Sequence, residues 1–164
     1  MSNPNLTVSI IAIVLSVLSL IYTALNDRRN RVLDAISVLD RFTCSDMAKA
    51  RDIVGQAAHS ETPVANSQKA DLRQAMFRFL WETQCVAFLR KEIKGNSVIT
   101  IHAQVIYRHL DLMIDSFNAA KKNNVGLADF SSSLKYANTA IDKLPKIKTR
   151  FFRTVRKPPS KRFE

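Results

Sequence analysis

The feature that most constrains this chain is a run of twenty uncharged residues near its start. Residues 6–25 read LTVSIIAIVLSVLSLIYTAL, and the next six residues read NDRRNR. At about 1.5 Å of rise per residue, a helix of this length spans roughly 30 Å, which is the thickness of the hydrocarbon core of a bilayer. The run therefore predicts a transmembrane helix.

The charges on either side of this run predict its orientation. Residues 1–5 carry no side-chain charge, whereas Arg28, Arg29 and Arg31 follow the run. A secretory signal has a basic segment before a shorter apolar run, and basic residues beside a membrane span stay on the cytoplasmic side. We therefore expect an uncleaved single-pass anchor with residues 1–5 outside, 6–25 in the membrane and 26–164 in the cytoplasm.

Small residues recur every three or four positions along one face of the anchor. They are Ser9, Ala12, Ser16, Ser19 and Thr23. Small residues let membrane helices approach closely, and hydroxyl groups hydrogen-bond across such an interface. This stripe predicts parallel self-association of the anchors, and in a ring it would line an aqueous path. The alternative is a generic anchor whose serines bond to their own helix.

The composition of residues 26–145 predicts a helical cytoplasmic domain. The whole chain has three glycines and five prolines, and it has no sustained alternation of polar and apolar residues. We expect helices over about residues 31–42, 45–58, 69–94, 98–121 and 127–144, with a loop at 59–68. The fold class is thus all-α, with one N-terminal transmembrane helix, a cytoplasmic four- or five-helix bundle and a basic tail.

Apolar side chains recur at helical spacing on the two longest cytoplasmic helices. In the helix over 69–94, those predicted to be buried are Leu72, Met76, Phe79, Leu80, Val86, Leu89 and Ile93. In the helix over 98–121, the apolar residues at helical spacing are Ile101, Val105, Leu112, Met113 and Phe117.

Residues 146–164 form a basic tail that contributes about +7 of the formal net charge of +11. The residues expected to contact an anion are Lys146, Lys148, Arg150, Phe151, Phe152, Arg153, Arg156, Lys157, Lys161 and Arg162. Anionic lipid of the inner leaflet attracts such a segment, and the interleaved phenylalanines, Phe163 included, insert at the headgroup boundary. Nucleic acid is the second possible partner, and a disordered, solubilising tail is the third interpretation.

The sequence offers little catalytic or metal-binding chemistry. Cys44 and Cys85 lie in no CxxC or Cys/His cluster and are consistent with reduced cytosolic thiols. His102 and His109 lie about 10 Å apart along one predicted helix, too far to hold one metal ion. No phosphate-binding loop or nucleophile elbow is present. We expect no enzymatic activity, no cofactor and no metal.

One ribonuclease arrangement is relevant because it occurs on helical bundles. HEPN-type ribonucleases carry an arginine followed closely by a histidine. Arg51 and His59 are the candidates here, but seven residues separate them, which is more than that motif has. The spacing therefore argues against a catalytic bundle and favours a degenerate, non-catalytic HEPN-like domain, with a membrane-bound ribonuclease that uses Arg51 and His59 as the disfavoured alternative.

Two segments carry a resemblance to known proteins, SDMAKARDIV at residues 45–54 and the aromatic MFRFLWE at residues 76–82. With the preceding anchor, they resemble small bacterial single-pass membrane proteins that have a helical domain. The layout is also similar to that of membrane-anchored accessory proteins of CRISPR and other anti-phage systems, some with degenerate HEPN-like domains. This resemblance implies a homo-oligomeric effector that perturbs or forms a pore in the inner membrane during defence. The alternative is a passive anchored adaptor that binds nucleic acid or a defence-system partner protein.

Overall fold

The computed structural model describes residues 4–90, 93, 97–124, 126–127, 129–148 and 155–164. The helices are α1 (Pro4–Arg41), α2 (Ser45–His59), α3 (Lys69–Phe88), α4 (Ser97–Asn123) and α5 (Ser131–Asp142). A short 3₁₀ turn, Asn66–Gln68, precedes α3. Two two-residue strands, β1 (Ile147–Lys148) and β2 (Val155–Arg156), pair in antiparallel fashion. The prediction of an all-α chain with a long apolar first helix is confirmed.

The chain divides into two compact units, residues 1–34 and 35–164. The first unit consists of most of α1, which begins at Pro4, a residue whose fixed φ suits the first turn of a helix. Every side chain from Val8 to Arg31 is exposed. This unit therefore has no core of its own.

The second unit has a core built around α3 and α4. Helix α2 packs against both, and α3 also packs against α5. Aromatic rings fill much of the interior: the Phe130 ring lies 4.7 Å from that of Phe77 and 5.6 Å from that of Phe117, measured between centroids. Such tilted and edge-on pairs are the arrangements that aromatic quadrupoles favour.

The burial predicted for α3 is confirmed. Leu72, Met76, Phe79, Leu80 and Val86 are buried on this helix. Leu89 and Ile93, which the sequence placed on the same helix, are also buried, although α3 ends at Phe88. Residues 91, 92 and 94–96 lie outside the described part of the chain.

The five apolar residues that recur at helical spacing on α4 do not all face inward. Met113 and Phe117 are buried, but Ile101, Val105 and Leu112 are 55%, 51% and 57% exposed. The reason is that α4 has two apolar stripes with helical spacing. The stripe that packs inward is the larger one: Ile99, Ala103, Ile106, Tyr107, Leu110, Met113, Ile114, Phe117 and Ala120.

Polar side chains define the loops at the end of α4. The Asn124 Oδ1 atom accepts a 2.8 Å hydrogen bond from the Val64 amide, which holds the loop after α2. Gly126 has a φ of +88°, a conformation that favours glycine and ends the helix. Asp129 then accepts hydrogen bonds from the Ser131 amide and hydroxyl, so α5 begins at Ser131, four residues later than predicted. These hydrogen bonds lower the pKa of Asp129.

Candidate functional site

The first candidate surface is the apolar part of α1. It is long and apolar enough to cross a membrane by length and composition, with a mean hydropathy of 2.5 over its most apolar window and no part of that window buried. Its exposed aliphatic side chains are Val8, Ile10, Ile11, Ile13, Val14, Leu15, Val17, Leu18, Leu20, Ile21 and Leu25. Arg28, Arg29 and Arg31 follow this surface and are exposed as well.

The small-residue stripe lies on this same exposed helix, and two of its hydroxyl groups bond to the helix backbone. Ser16 Oγ donates to the Ala12 carbonyl at 2.8 Å, and Thr23 Oγ1 donates to the Ser19 carbonyl at 2.9 Å. These protons are therefore satisfied within α1, as in a generic anchor. The oxygen atoms keep their capacity to accept a hydrogen bond.

The second candidate surface is the exposed face of α4, formed by Ile101, Val105, Arg108 and Leu112. These residues are spaced four, three and four positions apart, which is the spacing of a coiled-coil seam. Val105, Arg108 and Leu112 line a shallow depression of about 460 Å³ with Gln104 and His109. Three exposed aliphatic side chains that share one helix face with Arg108 form a candidate interaction surface.

The structure does not bring Arg51 and His59 together. Both lie on α2, eight residues and hence about 12 Å apart along its axis. Arg51 is half-buried, and its Nη1 atom donates a 2.6 Å hydrogen bond to the Phe42 carbonyl just after α1. His59 is exposed at the end of α2. Arg51 therefore has a structural role at the turn between α1 and α2.

A different histidine lies near the charge of Arg51. His109 on α4 is half-buried, and its Nδ1 atom has no hydrogen-bond partner among the described residues. Burial lowers the pKa of His109 below 6.5, and the positive charges of Arg51 and Arg108 lower it further. These surroundings thus favour the neutral form of the imidazole.

The remaining titratable groups provide no reactive centre in the described part of the chain. Burial raises the pKa of the Cys85 thiol, and the nearby Glu82 carboxylate raises it further, so Cys85 stays protonated and unreactive. Cys44 is exposed. Among the described residues, no three His, Cys, Asp or Glu side chains form a group suited to a metal ion.

The end of the basic tail is packed against α4 and α5. Phe163 is only 3% exposed, and its ring meets that of Phe117 edge-on at 5.1 Å. Asn138 on α5 makes two hydrogen bonds to the Phe163 backbone, one to its carbonyl and one from its amide. Asn118 on α4 bonds in the same way to the Arg162 carbonyl and the Glu164 amide. The expectation that Phe163 inserts into lipid is therefore wrong.

The ten predicted anion contacts of the tail have different surroundings. Lys161 pairs with Asp115 at 2.6 Å and Arg162 pairs with Asp142 at 2.5 Å. Lys146 and Lys157 are exposed, and Lys148 and Arg156 lie in the paired strands. The other four fall outside the described residues: Arg150, Phe151, Phe152 and Arg153.

A third candidate surface was not predicted from the sequence. Trp81 and Phe88 on α3 and Tyr136 on α5 are 59%, 82% and 64% exposed. Trp81 and Phe88 are seven residues apart and therefore share one helix face, a signal that the sequence did contain. Tyr136 joins them only because α5 packs against α3.

No protein-family model, curated protein or solved structure matches this chain.

Proposed function

We propose that this chain is a single-pass protein of the bacterial inner membrane whose helical domain self-associates, so that it acts as an oligomeric effector on that membrane. The observation that carries the proposal is the fully exposed apolar surface of α1. The argument has three steps, which concern the membrane, the assembly and the effect on the bilayer.

The membrane step follows from the size of the exposed apolar surface. Transfer of one large aliphatic side chain from water to an apolar environment contributes about 1.5–3 kcal/mol. The eleven aliphatic side chains on α1 are 49–70% exposed, so burying what remains exposed contributes on the order of 10–20 kcal/mol, which is comparable to the 5–15 kcal/mol that stabilises a typical folded domain. Lipid is the favoured environment because the aliphatic surface covers all of the helix except the small-residue stripe and is followed by three exposed arginines. The same arginines favour an external N-terminus and a cytoplasmic domain.

The assembly step rests on the α4 face. Its three aliphatic side chains have coiled-coil spacing, and the charges beside them have both signs, with Arg108 in the seam and the half-buried Asp111 next to it. Asp111 of one copy can therefore pair with Arg108 of another. The small residues of α1 allow the anchors to approach each other as well.

The effect on the bilayer depends on how many anchors assemble. In a closed ring of about six or more copies, the oxygen atoms of Ser16 and Thr23 would supply hydrogen-bond acceptors along an aqueous path. A role in anti-phage defence is what the resemblance of the layout implies. Survival of phage-infected cells with and without the protein tests that role.

The first experiment measures the mass of the full chain in mild detergent by native mass spectrometry, together with dye release from liposomes. We expect a discrete oligomer that releases dye. The double variant Val105→Asp/Leu112→Asp is expected to shift the mass toward the monomer and to reduce release, because it places carboxylates in the α4 seam. Replacement of Ser9, Ser16 and Ser19 by leucine is expected to weaken release.

The matched control is His102→Asp, which adds a carboxylate to an exposed position on α4 outside the seam. It is expected to assemble as the parent chain does. A parent chain that is a monomer or dimer, or dye release that survives both sets of substitutions, would refute the proposed effector.

A passive membrane-anchored adaptor is the second candidate function, and the exposed aromatic residues on α3 and α5 favour it. An adaptor needs its anchor only for localisation. Exchange of residues 1–25 for an unrelated anchor would therefore preserve an adaptor's activity but abolish that of an effector assembled through α1.

A further inference from the structure

The surface between α3 and α5 is a groove lined by aromatic side chains. Phe88, Tyr136 and Gln84 line a depression of about 410 Å³. Trp81 lines a second depression of about 300 Å³, and Gln84 contributes to both, so the two adjoin. The seven residues from Trp81 to Phe88 correspond to about 10 Å along α3, which is the length of about three stacked nucleotides at 3.4 Å each.

The charges of this groove select the kind of partner. Arg90 and Lys143 line it, and none of its described lining residues is acidic. Arg78 also contributes to the lining but pairs with Asp46 at 3.3 Å. The groove is therefore positively charged, and its complement is an anion with apolar faces.

A second copy of this chain does not fit that description. A symmetric contact between two such grooves would place Arg90 and Lys143 of one copy against the same residues of the other. The α4 face differs from the groove in its charges, because it has both Arg108 and Asp111. An anionic membrane offers the complementary charge but no aromatic bases on which the three rings could stack.

Single-stranded nucleic acid has the required chemistry. Its bases stack on exposed aromatic rings, its phosphates pair with Lys and Arg, and this combination binds with little sequence preference. The Gln84 amide and the Thr139 hydroxyl line the same recess and provide donors and acceptors for base edges. We infer that the groove between α3 and α5, lined by Trp81, Phe88 and Tyr136, binds single-stranded nucleic acid. This inference goes beyond the proposed function and holds whether or not the chain assembles.

Trp81 provides a direct readout because it is the only tryptophan in the chain. The full chain, held in nanodiscs of zwitterionic lipid, is titrated with an oligothymidine strand of about twelve nucleotides while tryptophan emission is recorded. We expect saturable quenching, since a base that stacks on Trp81 quenches its fluorescence, and weaker quenching by a duplex of the same length. Binding that leaves the emission unchanged would place the strand elsewhere, for example on the tail, and would overturn the inference.

Substitutions test the other two rings and the charge. Phe88→Ala and Tyr136→Ala are each expected to weaken binding by at least about fivefold. Lys143→Ala is expected to reduce the slope of log affinity against log salt concentration by about 0.7. The matched controls are Leu33→Ala, an exposed apolar position on α1 after the three arginines, and Lys122→Ala, an exposed cation on α4. Equal losses in the groove variants and their controls would overturn the inference.

Anionic vesicles test whether the groove binds lipid instead of single-stranded nucleic acid. Phosphatidylserine vesicles added to the same nanodiscs are expected to leave the Trp81 emission unchanged. A blue shift with these vesicles and no response to the strand would assign the groove to lipid and overturn the inference.

Discussion

His109 is held neutral by its surroundings, and this has a consequence for stability. Its pKa is lowered from 6.5, first by burial and then by the charges of Arg51 and Arg108. The unfolded chain therefore binds a proton at a higher pH than the folded chain does, so the free energy of unfolding rises with pH in this range. The contribution of His109 is complete above about pH 6.5 and is lost as the pH falls from there through the lowered pKa.

We expect His109→Gln to reduce this pH dependence. Urea unfolding of the full chain at about pH 7.5 and about pH 5.5 measures the change in the free energy of unfolding between the two pH values. One titrating group changes this free energy by at most about 1.4 kcal/mol per pH unit. His102→Gln, at an exposed position on the same helix, is the matched control. Equal effects of the two substitutions would contradict the prediction.

The packed end of the tail is an element of the fold with a measurable contribution. We expect Phe163→Ala to lower the free energy of unfolding by about 3–5 kcal/mol, because it empties a site against Phe117. The matched control is Phe88→Ala, which removes the same ring from an exposed position and is expected to change stability by no more than about 0.5 kcal/mol. Denaturant unfolding followed by far-ultraviolet circular dichroism compares the two variants. Similar midpoints would show that the Phe163 contact contributes little.

The elements differ in how far the sequence alone predicts them. The buried face of α3 could be predicted because its aliphatic residues and Phe79 lie on one face, apart from the exposed Trp81 and Phe88. The buried face of α4 could not, since Ile101, Val105 and Leu112 satisfy helical spacing as well as the inward residues do. Composition cannot decide between two stripes when packing against other helices determines which one is buried.

The docked tail and the groove could not be predicted because both depend on contacts between residues far apart in sequence. The high charge of residues 146–164 predicts an exposed segment, whereas Phe163 is buried, with hydrogen bonds from Asn118 and Asn138 holding the chain around it. The groove depends on the packing of α5 against α3, which places Tyr136 beside Phe88. Such pairings join distant segments, and local periodicity carries no information about them.

At the scale of the whole molecule, the two cysteines report on topology. Cys44 is exposed and follows α1 by three residues, whereas Cys85 is buried. If the helical domain is cytoplasmic, a membrane-impermeant maleimide is expected to label Cys44 in inverted membrane vesicles but not in intact spheroplasts. Cys85 is expected to react only after denaturation, which exposes it and removes the cause of its raised pKa.

A Ser2→Cys variant of the chain with Cys44→Ser is the matched control for the opposite side of the membrane. It is expected to react in spheroplasts and not in inverted vesicles. Labelling of Cys44 in intact spheroplasts would reverse the proposed orientation.

The docked position of Phe163 also imposes an order on biosynthesis. The apolar helix is made first, and the ring that completes the core of the second unit is made roughly 120 residues later. At about 5–20 residues per second, translation of that interval takes on the order of ten seconds. An apolar nascent helix that stays in water for that time is prone to aggregate through its exposed side chains. If α1 spans a membrane as proposed, targeting of the ribosome to that membrane is expected to precede folding of the helical domain, and a stalled or truncated nascent chain would then leave an inserted anchor attached to an incomplete domain.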